Sequence, residues 1–537
     1  MRPNNGVERM ESRVFFLHAD SVLYFRPSGV WVSNLTNMDR DAAPSAGPGD
    51  AAPAAMSPPD LPGPLPPVAS AEPSFFSFLT GLSVLVLLGS VFLFAWLQAT
   101  VPRLSRVDQP ERALALMVGR SMDLEEVFAD APPWERLLFD LTMSESGETL
   151  PLASVWYEEL ADSFPDPQVR LQSAILAGEA GKLDRVRVET QAWAHDKDPF
   201  PPFARLLSAA YLEPRITRAD ELALQADLAE RMPAGWFYDR LAVQIAAKAG
   251  DEPLLLGLKA AQISRTEPLV QRARLLAGLQ LFCMVAGLMA LAPIVGSRRA
   301  RRVLQVGEAP VPPLWRGRVG SVVLIRGGAI SALLTLVLLS FETDSLLVRA
   351  LAIPLSNLPI LLLAQRHLFE PTGIGWLQGL GLRPLPSAWG RLGLMLAALL
   401  AAALLGEWGL GRVAEAWDLS SHWTEWFDGD LVWGSGLVLA ISLLEYVVFA
   451  PLFEELVFRG LLFATLRRKY GWGMAAAISA GIFALAHGYG VLGTVSVFWS
   501  GILWAWAYEK TGSLLPGMAA HMLNNLFVCA TVMALLR

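Results

Sequence analysis

The feature that most constrains this chain is a series of apolar segments, each about long enough to cross a lipid bilayer. The first, residues 75–97, contains no charged residue over 23 positions, enough for a helix to span a hydrocarbon core of roughly 30 Å. Others follow at about 275–295, 319–341, 346–364, 391–410, 431–453, 473–488, 491–508 and 513–535. Because 53% of the residues are hydrophobic and only 17% are charged, the sequence predicts an all-α protein: a polytopic transmembrane helical bundle with an additional soluble helical domain.

Composition also divides the chain into units. The Ala/Pro-rich N-terminal tract buries too little apolar surface to fold, so we expect it to be disordered. The predicted units are a disordered N-terminal region at 1–74, a first transmembrane helix at 75–97, a soluble helical domain at 101–272, a second transmembrane helix at 275–296, membrane helices within 319–430, and a final membrane unit at 431–537.

Arginines predict the orientation of the bundle. The second membrane segment is followed at once by Arg298, Arg299, Arg301 and Arg302, which the positive-inside rule assigns to the cytoplasm. Residues 101–272 and the acidic, Trp-rich loop at 415–430 then lie outside. We therefore expect an integral, multi-pass protein of the plasma (inner) membrane. Because the net charge is −7 and no dense block of lysine and arginine lies outside the membrane flanks, we expect no nucleic-acid partner.

The soluble region contains a weak repeat. Ala-rich stretches such as "SAILAGEAGKLDRV", "LSAAYL" and "QIAAKAGDEPLLLG" recur at intervals of about 34 residues, a period typical of tetratricopeptide-type helix-turn-helix repeats. A helical domain without repeats is the alternative. Either form predicts a module that contacts a protein partner and has no chemistry of its own.

The last hundred residues place polar groups inside apolar segments, where they are costly and by default functional. These groups are Glu454, Glu455, Arg459, His487, His521 and Asn525. Glu455 and Arg459 are four residues apart, on one face of a helix, and should form an ion pair. Glu454 lies about 140° round the helix from Arg459, so it should be left without that partner and free to act as a base. Pro451 just upstream should bend the helix and turn the carboxylates into a cavity.

The two histidine segments complete a hydrolytic site. His521 and Asn525 are four residues apart, and together they can donate hydrogen bonds to a developing oxyanion, each worth about 3 kcal/mol in measured cases. His487, on a neighbouring helix, could orient a water between itself and Glu454. Phe483 should pack beside His487 without a chemical role.

The order and spacing of these motifs resemble a known family. The motifs are E-E-x-x-x-R as "EELVFR", F-x-x-x-H as "FALAH" and H-x-x-x-N as "HMLNN", with the lead-in "KTGSLLPGMAAH". Residues 390–535 are similar to the CPBP family of intramembrane glutamic endopeptidases, which includes type II CAAX prenyl proteases and bacteriocin-processing, Abi-like enzymes. The resemblance implies that residues 431–537 form a CPBP-type intramembrane protease core.

The resemblance also implies roles for the matching residues. Glu454 and His487 would activate water for peptide-bond hydrolysis, and His521 and Asn525 would stabilise the oxyanion. Glu455 and Arg459 would support them. The expected partners are membrane lipids and a membrane-associated peptide substrate, with a possible protein partner for residues 101–272.

Alternatives remain open at the level of sequence. No cofactor is expected, but two histidines and a carboxylate could bind a divalent metal such as zinc, although no H-E-x-x-H motif is present. Two other classes of protein also fit the sequence. In a transporter, the same Glu and His groups could relay protons. In a non-catalytic scaffold, the membrane part would only present the helical domain.

Three further expectations concern residues outside the motifs. Glu445 should be neutral and hydrogen-bonded in a structural role. His422 lies in a soluble stretch and should be on the surface. The Trp residues of 408–433 should form an aromatic belt at the membrane interface.

Overall fold

The computed structural model of the protein describes residues 77–142, 149–296, 304–340 and 345–537, and the secondary structure of these residues is helical throughout. The Ala/Pro-rich tract predicted to be disordered and the predicted arginine flank at 298–302 lie outside the described residues. Helix α1 (Phe78–Thr100) leads through a 3₁₀ turn (Arg103–Arg106) into the helical domain. The helices of this domain are Pro110–Ala129 (α2), Pro133–Thr142 (α3), Thr149–Ser163 (α4), Pro167–Glu179 (α5), Leu183–Trp193 (α6), Phe200–Leu207 (α7), Arg218–Arg231 (α8) and Trp236–Ala249 (α9).

The chain then returns to the membrane. Its remaining long helices are Glu252–Gly296 (α10), Gly317–Ser340 (α11), Leu346–Ala364 (α12), Trp389–Ala416 (α13), Gly436–Leu466 (α14), Trp472–His487 (α15), Val491–Thr511 (α16) and Leu515–Leu536 (α17). Wider π-helical turns extend α7 (Ser208–Leu212) and α12 (Gln365–Phe369), and α12 then ends in an α-helical turn (Glu370–Thr372). Short helical turns lie at Trp376–Gly379, Trp423–Glu425 and Gly429–Trp433.

Of the described helices, eight are long and apolar enough to cross a membrane: α1, α10, α11, α12, α13, α14, α16 and α17. The predicted class, an all-α polytopic membrane bundle, is confirmed. Helix α15, which covers the predicted segment 473–488, has 16 residues and so rises only about 24 Å. Its C-terminal residue, His487, is half-buried.

Successive helices of the helical domain pack around an apolar core. Asp166 begins α5 by accepting a hydrogen bond from the amide of Gln168, and Thr217 begins α8 in the same way with the amide of Asp220. At Gly178 a Cβ atom would lie 2.7 Å from the ring of Tyr211, so glycine permits α5 and the π-helical end of α7 to meet. The helix pairs agree with a helix-turn-helix arrangement, while repeats of tetratricopeptide type stay a prediction.

Helix α10 joins the helical domain to the membrane without a break. It has 45 residues, a rise of about 67 Å, and crosses the boundary that the sequence predicts between 272 and 275. Arg265 on α10 contacts Asp123 of α2 at 3.2 Å and Asp239 of α9 at 2.5 Å. Two carboxylates from two other helices therefore hold the outer part of α10 to the domain.

The end of the bundle away from the helical domain is held by backbone hydrogen bonds. The segment before α11 donates from Val306 N to Thr511 O at 2.8 Å and from Ala309 N to Gly512 O at 2.9 Å. Arg467 beyond α14 makes two 2.9 Å contacts with the carboxylate of Glu509 on α16. The ends of α14 and α16 are thereby fixed relative to each other.

The loop between α13 and α14, residues 417–435, packs onto the helical domain, and we call it the docking loop. Trp423 is only 1% exposed and lies in the core of the helical domain, with Phe427 and Trp433 packed against the same core. Loop and domain therefore lie on the same side of the bundle, as the topology predicts. The predicted aromatic belt is wrong for Trp423, because this ring is buried by protein.

His422 also differs from the sequence expectation. It is buried, its Nε2 lies 3.1 Å from Glu159 Oε2 on α4, and its Nδ1 lies 2.8 Å from Thr424 Oγ1. The hydrogen bond from His422 lowers the pKa of Glu159 below its ordinary value. The predicted surface position was wrong because the partner carboxylate comes from a helix more than 250 residues earlier in the chain.

Candidate active site

Helix α14, which carries the predicted glutamates, is not a regular α-helix. It alternates between α-helical turns (Gly436–Leu443, Ala450–Glu454, Ala464–Leu466) and π-helical turns (Leu444–Phe449, Glu455–Phe463). Pro451 lies between the two π-helical stretches, and its missing amide hydrogen removes one bond of the α-helical ladder. Such wide turns are frequent at functional sites. Here they set the directions in which Glu454 and Glu455 leave the helix.

Glu455 and Arg459 form a fully buried ion pair. Their atoms Oε1 and Nη1 are 2.8 Å apart, and neither side chain is significantly exposed. The contact is ionic, and its angle falls short of a directed hydrogen bond. The face of the guanidinium lies 4.1 Å from the ring centre of Phe483 on α15, a cation–π contact that stabilises a desolvated charge. The four-residue spacing in the sequence therefore pairs these two groups, as expected.

His521 on α17 joins this pair and also faces the second glutamate. Its Nδ1 lies 3.1 Å from Glu455 Oε1, and its Nε2 lies 3.6 Å from Glu454 Oε2. The sequence predicts that Glu454 stands apart from the ion pair, and it does lack Arg459 as a direct partner. However, one imidazole links the two carboxylates, a contact that helical spacing within α14 cannot reveal.

Glu454 is the more open of the two carboxylates. Its side chain is 27% exposed, and it accepts no hydrogen bond from a described residue. A carboxylate that is neither saturated by hydrogen bonds nor paired with a permanent cation keeps lone pairs for a proton. Glu454 therefore has the free oxygens that a general base requires.

His487, the last residue of α15, has a fixed ring orientation. Its Nδ1 lies 2.7 Å from the carbonyl oxygen of Phe483, and because a carbonyl only accepts, Nδ1 carries the hydrogen. Nε2 makes no hydrogen bond to a described residue. His487 is close enough to Glu454 and His521 to interact with both electrostatically.

Phe483 is the centre about which these groups are arranged. His487 approaches its ring edge-on at 4.6 Å and His521 does so at 5.9 Å, while Arg459 covers a face. The sequence assigns Phe483 only a packing role beside His487. In the structure it contacts side chains from three helices, so it positions most of the predicted site.

Asn525 lies one turn after His521 on α17, as predicted. Its Nδ2 donates a hydrogen bond of 2.9 Å to the backbone carbonyl of Tyr446, within the first π-helical stretch of α14. One of the two amide hydrogens is used in this contact. The second is left for an oxyanion.

Some residues near the site are not identified by the sequence motifs. Glu425 of the docking loop accepts a hydrogen bond from the backbone amide of Gly490 at 3.3 Å. The ring of Tyr489 stacks against His487 at 5.8 Å, and that of Trp504 stacks against His521 at 6.2 Å. Only Tyr489 is adjacent to a motif, so local sequence carries no signal for the other two.

Glu445 is hydrogen-bonded in a structural role, as expected. It contacts Nε of Arg349, at the start of α12, at 3.2 Å, and Nη1 of the same arginine lies 2.6 Å from Asp430. That Glu445 is neutral stays a prediction. Glu445 belongs to this separate ionic cluster and does not face His521.

No metal site is evident in the described part of the chain: nowhere in it do three His, Cys, Asp or Glu side chains come together in a way that could hold an ion. That the chemistry needs no cofactor stays a prediction.

Comparison with known proteins identifies one matching segment. Residues 436–527 match the family model described as type II CAAX prenyl endopeptidase, Rce1-like. This segment contains all six predicted site residues, from Glu454 to Asn525, and the match confirms the resemblance for this part of the chain. No curated protein and no solved structure matches the chain.

Proposed function

We propose that this integral membrane protein, whose residues 436–527 match the Rce1-like family, is a CAAX-protease-like intramembrane endopeptidase. It would hydrolyse peptide bonds of membrane-associated peptides or proteins with a water activated by Glu454. The observation that carries the proposal is the division between the two adjacent glutamates. Glu455 is buried against Arg459, whereas Glu454 is accessible and faces two histidines.

The chemistry follows from this division. Glu454 takes a proton from water, and the resulting hydroxide attacks the carbonyl carbon of the peptide bond. Nε2 of His487 orients the water, since Nδ1 is held by Phe483. Collapse of the tetrahedral intermediate breaks the C–N bond, and the proton passes from Glu454 to the leaving amine. The immediate products are a carboxylic acid and an amine, and transfer of the acid proton gives a carboxylate and an ammonium ion, so atoms and charge balance.

The developing oxyanion needs donors. Asn525 has one amide hydrogen beyond the bond to Tyr446. His521 Nδ1 lies 3.1 Å from Glu455 Oε1, whereas its Nε2 lies 3.6 Å from Glu454 Oε2, longer than a hydrogen bond, so Nε2 is the atom that can donate to an oxyanion. We assign these two groups to the oxyanion, where preorganised donors contribute most in a site that excludes water.

The side from which substrate arrives follows from the docking loop. Glu425 of this loop contacts Gly490, three residues after His487, so the site lies toward the end of the bundle that carries the helical domain. We propose that substrates enter from that side, which the predicted arginine flank places outside the cytoplasm of a plasma (inner) membrane.

The decisive experiment compares membranes that carry wild-type protein with membranes that carry Glu454→Gln, by mapping new peptide N-termini. We expect a set of cleavage products that disappears in the Glu454→Gln variant. The matched control is Glu407→Gln, which changes a carboxylate on α13 whose partner is Ser496 and should leave the products intact. Identical products from wild type and Glu454→Gln would contradict the proposal.

The same variant distinguishes the other two functions that the sequence leaves open. A transporter with a proton relay through Glu454 would lose ion or solute flux in proteoliposomes without any change in peptide products. A scaffold would bind its partner equally well in both forms.

A further inference from the structure

The docking loop contacts the helical domain and the candidate active site within a few residues. Trp423 is buried in the core of the domain, and His422 bonds to Glu159 of α4. Two residues after Trp423, Oε2 of Glu425 accepts the hydrogen bond from Gly490. The helical domain and the turn that follows His487 are thus joined by a single short stretch of chain.

The turn at 488–490 depends on this contact for its position. Gly488 ends α15 with a φ of +67°, a left-handed conformation that glycine adopts without strain. A Cβ atom at Gly493 would lie 3.4 Å from the same Glu425 oxygen, so the carboxylate packs closely against the start of α16. Glu425 therefore fixes the turn to the loop from the side opposite α15.

A second contact runs from the docking loop toward Asn525. Oδ2 of Asp428 accepts a hydrogen bond of 3.0 Å from the hydroxyl of Tyr446, and its Oδ1 accepts from the amide of Leu431 at 2.8 Å. The carbonyl of Tyr446 holds Asn525. Both the water-activating and the oxyanion side of the site are therefore supported by one loop.

We propose that the docking loop is the element through which the helical domain controls the site, with Glu425 and Asp428 as positioning residues. This inference rests on the proposed protease function. The helical domain holds the loop, and the loop holds the turn after His487 and the carbonyl that orients Asn525.

The test uses the full-length protein in lipid nanodiscs. Glu425→Ala removes the acceptor for Gly490, whereas Glu425→Gln keeps an acceptor oxygen in the same place. We expect Glu425→Ala to raise amide hydrogen exchange in residues 488–492 and to lower the yield of Glu454-dependent products by about 100-fold, the loss that follows a small misplacement of catalytic groups. Glu425→Gln should recover most of both, and the melting temperature should change little.

Two more variants test the link to the helical domain. His422→Ala breaks the bond to Glu159 and should raise exchange in the same residues, 488–492. Trp426→Ala is the matched control, since Trp426 is 42% exposed in the same loop, and it should have no effect. Unchanged exchange in both Glu425→Ala and His422→Ala would overturn the inference. Because exchange is measured without substrate, this result is distinct from a failure to find Glu454-dependent products.

A different observation supports a second inference, at helix α3. Its buried side is anchored by Glu135, whose Oε1 lies 2.5 Å from Nε of Arg274, and by Phe139, which stacks on Phe128 at 4.3 Å. A separate side carries Trp134 and Leu137, which are 66% and 59% exposed, with Leu141 one turn further on. These positions share one face of a helix.

Helix α3 lies beside the ends of two membrane helices, at the level of the membrane edge. Arg274 immediately precedes the apolar part of α10, and the next residue, Leu275, is 74% exposed. The small cluster around Phe128 and Phe139 also includes Leu535, near the end of α17. Helix α3 therefore lies where two membrane helices leave the hydrocarbon, and its apolar face continues their lipid-facing surface.

We infer that α3 is an in-plane helix whose Trp134, Leu137 and Leu141 face lies in the headgroup region of the bilayer. A tryptophan and leucines on one side, with charged Arg136 and Asp140 on another, are the pattern of an interfacial helix. Through α3, the helical domain therefore contacts lipid as well as the membrane helices.

Nitroxide labels at two positions of α3 test this inference. The background carries Cys283→Ser and Cys529→Ala, and either Leu137→Cys or Asp140→Cys is added as the only cysteine. Each variant is labelled in nanodiscs, and the collision rates of its nitroxide with oxygen and with a water-soluble nickel chelate are compared. We expect oxygen to dominate at 137 and nickel to dominate at 140. A nickel-dominated signal at 137, or protection of 137 from both reagents, would overturn the inference.

Discussion

His521 Nδ1 lies 3.1 Å from Glu455 Oε1, so the imidazole predicted to serve the oxyanion is also the third member of a buried ion pair. Arg459, which is wholly buried, contacts the same oxygen of this carboxylate. Glu455 therefore balances two nitrogen groups from two helices. The adjacent Glu454 is partly exposed, and under the proposed function the two glutamates should respond differently to mutation.

Glu455→Gln should destabilise the protein, because it leaves the Arg459 charge buried without its counter-ion. Breaking a buried pair by removing one partner typically costs about 3–5 kcal/mol. Glu454→Gln should abolish cleavage with little change in stability, since Glu454 is partly exposed. Thermal unfolding in detergent, followed by intrinsic fluorescence, measures both. Equal melting temperatures for the two variants would contradict this assignment.

Asn525→Ala should reduce cleavage by about 100-fold to 1000-fold, the loss measured when one oxyanion donor is removed. Asn524→Ala is the control, because the neighbouring side chain leaves α17 in another direction and should retain wild-type yield. The products that depend on Glu454 are the readout. A loss of equal size in both variants would indicate a general effect on α17.

Gly287 should be intolerant of substitution because α10 and α13 meet there. A Cβ atom at Gly287 would lie 2.3 Å from the carbonyl oxygen of Ala397 and 2.4 Å from Cβ of Ala401. Gly287→Ala must push the helices apart, which typically costs about 1–3 kcal/mol. Gly278→Ala on the same helix meets nothing within 4 Å and should be neutral. Melting temperatures of the purified proteins test the difference.

Glu425→Gln should change stability in a way that depends on pH. Burial raises the pKa of Glu425, with smaller opposing effects from the Gly490 amide, Arg103 and His422. A carboxyl whose folded pKa is raised contributes stability that is fully present below its unfolded pKa and is lost as pH rises through the folded pKa. Relative to wild type, Glu425→Gln should gain stability as pH rises from about 4 to 8. Melting temperatures across this range measure the trend, and a flat difference would contradict it.

The membrane class and the Glu455–Arg459 pair could be predicted because both depend on local sequence. A run such as 75–97 has no stable alternative to a buried helix in lipid, and an uncompensated Glu454 within an apolar segment is too costly to be incidental. The pairing of Glu455 with Arg459 follows from spacing alone. These features need no knowledge of the other helices.

The features that sequence missed depend on contacts between distant segments. Trp423 has the composition of an interfacial residue, and its burial in the helical domain depends on helices formed more than 150 residues earlier. The partner of Glu445 is Arg349 of another helix, which local sequence does not identify. The π-helical turns of α14 alter the 100° step that helical-wheel reasoning assumes, so the contact of His521 with both glutamates could not be derived from α14 alone.

The single helix α10 ties the helical domain to the second membrane crossing. It runs from residue 252 to residue 296 with Pro268 and Pro293 inside it, and an interior proline removes one hydrogen bond of the helical ladder. Any bend between the domain and the membrane portion is therefore expected at Pro268, before the close crossing with α13 at Gly287.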